Sequence, residues 1–83
     1  MNKILVEVFV PAAGKNFDVF ISLESHMEDV RKMLCQSVNN LTNGNYFADD
    51  ETVICDAESG IIFNVNMSIY ELGIKNGSRL MLI

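Results

Sequence analysis

The 83-residue sequence has no tryptophan, one proline, five glycines and two cysteines, and each scarcity closes off a class of protein. Two cysteines cannot make a disulfide framework or a four-thiolate metal site, and Cys35 and Cys55 each lie among apolar neighbours. They read as buried free thiols in a reducing compartment. A four-cysteine iron–sulfur cluster is excluded on the count alone. Basic residues are also few: six Lys+Arg against eleven Asp+Glu leave a net charge of −5. No electrostatic attraction would hold such a chain to phosphate, so nucleic acid and anionic membrane are poor partners. Nothing approaches the ~20 consecutive apolar residues of a membrane span. Lys3-Ile4-Leu5-Val6 is interrupted by Glu7 without a small-residue cleavage site, so no secretory leader and a cytoplasmic location are expected.

What is present is 49% hydrophobic residues, enough for one domain over 1–83 with a single core. Ile4, Val6, Val8 and Val10 alternate with Leu5, Glu7 and Phe9, the period of a strand with two different faces. Pro11 to Asn16 supplies a turn, and Phe17, Val19 and Ile21 then alternate with Asp18, Phe20 and Ser22, which completes a hairpin. Ser25 and Glu28 have capping-box spacing and predict a helix start. Met27, Val30, Leu34, Val38 and Leu41 form its inward stripe, with Arg31, Lys32 and Gln36 turned away. Asn39 to Asn45, which include Gly44, predict a left-handed helix end. A long connection with Tyr46, Phe47 and the acidic run Asp49-Asp50-Glu51 follows.

Val53-Ile54-Cys55 and Ile61-Ile62-Phe63 read as two short paired strands around a turn at Asp56 to Gly60. Ser68-Ile69-Tyr70-Glu71 is a second capping box, heading one helical turn that ends at Gly73. Asn76-Gly77 turns into a last strand, Arg79 to Ile83, with Leu80 and Leu82 on one face and Met81 and Ile83 on the other.

Hairpin, helix, two short strands, helical turn and last strand give an α+β fold with one main helix across one face of a mixed sheet. Four to five strands are expected. The arrangement resembles ubiquitin and the β-grasp fold across almost the whole chain, most clearly from Ser68 through Leu72-Gly73-Ile74-Lys75-Asn76-Gly77-Ser78-Arg79-Leu80 to Ile83. Within that superfamily, this closing segment looks like the bacterial YukD/EsaB family, ubiquitin-like accessory proteins of type VII secretion. The resemblance implies a non-enzymatic binding protein that docks to a cytoplasmic component of a membrane secretion machine. Ubiquitin and the sulfur carriers of this fold act through a C-terminal Gly-Gly; the sequence closes on Leu82-Ile83, so conjugation is not expected. A modifier or sulfur carrier made by processing or extension is the competing covalent reading.

Catalytic and cofactor readings find little support in the residues. His26 is the sole histidine and falls at the helix start, where a surface or capping role is the simpler account. Cys35 falls mid-helix, away from the N-terminus whose dipole would lower its pKa, and Cys55 falls in a short apolar strand. His26, Cys35 and Cys55 lack the close paired spacing of a zinc site. No cofactor or metal is expected. With the helix over Ile4, Val6, Val8, Val19 and Leu80, the opposite sheet face displays Leu5, Phe9, Phe20, Met81 and Ile83, with Glu7 and Arg79 among them. These five apolar residues, expected to be contiguous, are the candidate protein-interaction surface. A homodimer through the same face is the structural alternative.

Overall fold

In the computed structural model, which describes residues 2–42 and 51–83, the opening alternation forms strand β1 (Lys3–Val10). The four-residue turn Pro11 to Gly14 leads into antiparallel β2 (Lys15–Ser22), with Val10 opposite Lys15. Ala13 N–H donates to the Val10 carbonyl and Gly14 N–H to that of Pro11, so Lys15 and Asn16 belong to the strand. Helix α1 (Met27–Leu41), β3 (Ile54–Asp56) and β4 (Arg79–Leu82) follow. The sheet order is β2-β1-β4-β3, with β1 and β4 parallel and the other neighbours antiparallel. This is the expected α+β design with four strands.

The core lies between one sheet face and α1. Ile4, Val6, Val8 and Val10 from β1 and Leu80 and Leu82 from β4 are buried with Met27, Val30, Leu34 and Val38 of the helix. Ile69 and Ile74 belong to the same buried cluster. The period of two on the strands and of three to four on the helix therefore converge on one apolar layer.

The helix begins differently from the sequence expectation. Its N-cap is His26, not Ser25, and no side chain caps it. Backbone carbonyls do this instead: Met27 N–H donates to Met67 at 2.9 Å and Glu28 N–H to Val65 at 3.0 Å. The Ser25 carbonyl accepts Ile69 N–H, and the Glu28 carboxylate takes Arg31 Nε at 2.6 Å. A neighbouring loop has satisfied the donors that a capping box would serve. Arg31, expected to face water, is buried and also donates to the Thr52 carbonyl at 3.2 Å. Leu41, placed on the inward stripe, is 58% exposed at the helix end. The helix runs through Asn39 and Asn40 to a Thr42 cap with φ −96°, which is not left-handed; Thr42 Oγ1 donates to the Val38 carbonyl. The left-handed ending at Gly44 and the Tyr46, Phe47, Asp49 and Asp50 connection lie outside the described residues.

Ile61 to Phe63 does not form a strand. Cys55 and Ile62 make an isolated bridge, flanked by bonds from Asp56 N–H to Ile61 and from Phe63 N–H to Ile54. The Asp56 carboxylate ties the intervening turn by accepting both Ser59 N–H and Ser59 Oγ–H. The second capping box forms as read: Glu71 N–H donates to Ser68 Oγ at 3.1 Å and Ser68 N–H to Glu71 Oε1 at 2.9 Å. Gly73 N–H to Tyr70 and Ile74 N–H to Ile69 end that single turn in a Schellman pattern, which needs the positive φ of 74° at Gly73.

Candidate protein-binding surface

Pleating sends Leu5, Glu7 and Phe9 away from the helix, and the strand register decides what stands beside each of them. Phe20 is directly opposite Leu5, Asp18 opposite Glu7 and Asn16 opposite Phe9. On the other side of β1, Arg79 neighbours Glu7 and Met81 neighbours Phe9. The open face thus reads in rows across the strands. Leu5 and Phe20 form one apolar pair, Phe9 and Met81 a second, and the charged row Asp18–Glu7–Arg79 runs between them. Phe20 is 67% exposed and Phe9 38%, while Leu5 and Met81 are half-buried. Ile83, 51% exposed, lies beyond Met81 and pairs with Val53 through reciprocal backbone bonds.

The five residues expected to be contiguous therefore share a face without forming one unbroken patch. Arg79 Nε donates to Glu7 Oε1 at 3.2 Å, and both side chains remain partly in water. Asp18 makes no hydrogen bond or ion pair among the described residues. The sequence puts Asp18 in alternation with Phe20 but not beside Glu7, because that place depends on the hairpin register; a four-residue turn fixes the register and is the signal that would have found it. A shallow groove of about 360 Å³ opens along Glu7, Phe9, Asn16, Ala57, Arg79 and Met81. Toward β3 the face closes, for Cys55, opposite Met81, is only 1% exposed.

A second apolar region was also missed. Ile61 and Ile62, 66% and 60% exposed, edge a groove of about 380 Å³ with Phe63, Leu72 and Ile74. Reading 61–63 as a paired strand hid it, because a full strand pairing would leave less of this segment in water.

Both cysteines are buried, and neither forms a disulfide. Burial pushes the Cys55 thiol above its ordinary value, with a further upward push from the Asp56 carboxylate, so it stays protonated at neutral pH. His26 is exposed, and among the described residues no three His, Cys, Asp or Glu side chains are grouped to hold a metal ion. No helix among them is long and apolar enough to cross a membrane.

No protein-family model matches the chain, and no curated protein does. Solved structures match it over its full length. The EccD5 ubiquitin-like domain from Mycobacterium xenopi has a TM-score of 0.82 at 18% identity, covering 100% of this chain and 94% of that one. A chain of the MycP5-free ESX-5 inner membrane complex also has a TM-score of 0.82, at 17% identity; it covers all of this chain, which spans 21% of it. Ubiquitin from Caldiarchaeum subterraneum has a TM-score of 0.78 at 14% identity, covering 99% and 92% of the two chains. The fold is a ubiquitin-like β-grasp. Its structural neighbours include ubiquitin-like domains of type VII secretion proteins.

Proposed function

We propose that this chain is a non-enzymatic, ubiquitin-like protein-binding module serving a type VII (WXG100/ESX-type) secretion system, in the manner of the YukD/EsaB proteins that its closing segment resembles. It acts in the cytoplasm as an accessory or regulatory component, peripheral to the membrane through a partner. The observation that carries this reading is the full-length likeness to the EccD5 ubiquitin-like domain at a TM-score of 0.82. The chemistry of the surface agrees with it. Two apolar pairs and a charged row on an open sheet face offer contact area and orientation, the requirements of a docking surface. The buried, protonated Cys55 thiol and the exposed His26 make a poor catalytic pair.

Leu5, Phe9, Phe20, Met81 and Ile83 carry the contact. Affinity capture of the tagged chain from its native cells, eluted once natively and once after a denaturing wash, tests the proposal. Secretion components that are recovered natively, lost on denaturation and lost from the Phe20→Glu variant support it. Recovery unchanged by Phe20→Glu and Met81→Glu refutes the surface. Adducts surviving denaturation would place the protein in the covalent modifier class.

A further inference from the structure

Asp18 and Glu7 stand directly opposite one another in the β1–β2 ladder, where two like charges cost stability. Arg79 bonds Glu7 from the far side, and Asp18, exposed on the outer strand, has no partner among the described residues. The acidic pair lies midway between the two apolar pairs. Along β1, two residues, or about 7 Å, separate Glu7 from Leu5 on one side and from Phe9 on the other. We propose that this face receives an amphipathic helix of a partner protein that presents one Arg or Lys between two apolar side chains. The cation seats on Asp18 and Glu7, one apolar residue on Leu5 and Phe20, the other on Phe9 and Met81. This rests on the docking reading of the same face and adds the chemistry of the partner.

A helix suits the face better than an extended segment. It satisfies its own backbone hydrogen bonds, whereas a lone strand laid over a sheet face, away from an edge, leaves its backbone groups without protein partners. The spacing agrees. Apolar residues at i and i+8 of a helix are about 12 Å apart, close to the roughly 13 Å from Leu5 to Phe9, and i+4 falls between them on the same face. Charge also separates the possible occupants. A second copy would bring another net −5 to a chain already at −5, whereas a basic helix is drawn in.

Three synthetic helical peptides, identical except for Arg, Gln or Glu at i+4 between Leu at i and i+8, would be titrated into the isotope-labelled protein and followed by amide NMR shifts. The Arg peptide is expected to shift the amides of Leu5 to Phe9, Asp18 to Phe20 and Arg79 to Met81. It should bind about fivefold more tightly than the Gln peptide, as one partly exposed ion pair supplies, and the Glu peptide should bind more weakly still. Asp18→Asn should reduce the advantage of Arg over Gln. Equal affinities of the three peptides at the open face would overturn the cationic partner while leaving the docking surface in place. Shifts confined to α1 or to Ile61–Phe63, or none for any peptide at about 1 mM, would overturn the proposal. So would shifts of the same open-face amides on simple dilution of the free protein, which would assign the face to a second copy. The docking reading of this face fails separately, if native capture of secretion components is unaffected by both Phe20→Glu and Met81→Glu.

Discussion

Replacing Phe20 by Glu should separate binding from stability, and the structure sets the size of both effects. Phe20 is 67% exposed, so about a third of its area is withdrawn from water. A fully buried phenylalanine contributes roughly 1.5–3 kcal/mol, and a third of that is about 0.5–1 kcal/mol. Loss of the cross-strand contact with Leu5 adds a few tenths of a kcal/mol. The variant should lose about 1 to 1.5 kcal/mol, which lowers the melting temperature by roughly 5–10 °C in a domain this small. Ile69, with no exposed area, provides the contrast: Ile69→Ala should cost about 2 to 5 kcal/mol through the cavity it leaves. An aromatic anchor at an interface is worth about 2 kcal/mol or more, so Phe20→Glu should weaken partner binding about 30-fold or more. Urea titrations of both variants give the stability arm, with the slope expected to be unchanged. A Phe20→Glu loss equal to that of Ile69→Ala would refute the reasoning, because it would mean that Phe20 is packed inside the protein.

The remaining predictions concern the scaffold. Ser68→Ala should cost about 1 kcal/mol by deleting the hydroxyl that accepts Glu71 N–H, measured by thermal unfolding. The Ser68 backbone N–H, together with the Ser68 hydroxyl, holds the Glu71 carboxyl below its ordinary value. A carboxylate lowered on folding stabilises above its unfolded pKa, and this is lost as pH falls through the folded one; Glu71→Gln should therefore flatten stability against pH on the acid side. Arg31→Ala should cost about 1–3 kcal/mol, because it removes a donor from the buried Thr52 carbonyl, and hydrogen exchange at Val53 and Ile54 should quicken. Cys35 and Cys55 should resist a thiol reagent at neutral pH in the folded protein and react promptly in denaturant, measured by the rate of thiol release.

How far the sequence carries can be judged from particular residues. The alternation of Ile4 to Val10 and the spacing of Met27, Val30, Leu34 and Val38 are periodic signals, and both converge on the core as read. The Ser68–Glu71 box also forms as read, because its two partners are local and no other segment competes for its donors. The Ser25–Glu28 box has the same spacing and does not form. The carbonyls of Val65 and Met67, some forty residues away, reach the helix donors first, and local spacing cannot register that. Arg31 fails for a similar reason: a long side chain lets a nominally outward position reach the distant Thr52 carbonyl. Ile61 to Phe63 has strand-like residues but joins β3 through one bridge and its flanking bonds only.

The candidate surface divides along the same line. Which residues face outward follows from the period of two, so Leu5, Phe9, Phe20, Met81 and Ile83 were legible as one face. Their neighbours depend on register between strands that are distant in sequence. The Glu7–Arg79 pairing joins residues from opposite ends of the chain, and it splits the apolar surface in two. Asp18 becomes informative only when the hairpin sets it against Glu7.

The central claim is that the open sheet face docks to a secretion component, and site-specific photo-crosslinking in the native cell tests it most directly. A photoreactive phenylalanine would replace Phe20 in one strain and the exposed helix residue Lys32 in another. Light-dependent adducts from position 20 to a type VII membrane component, with none from position 32, are the result predicted. Adducts of equal yield from both positions, or adducts from position 20 only to proteins outside the secretion machine, would contradict it.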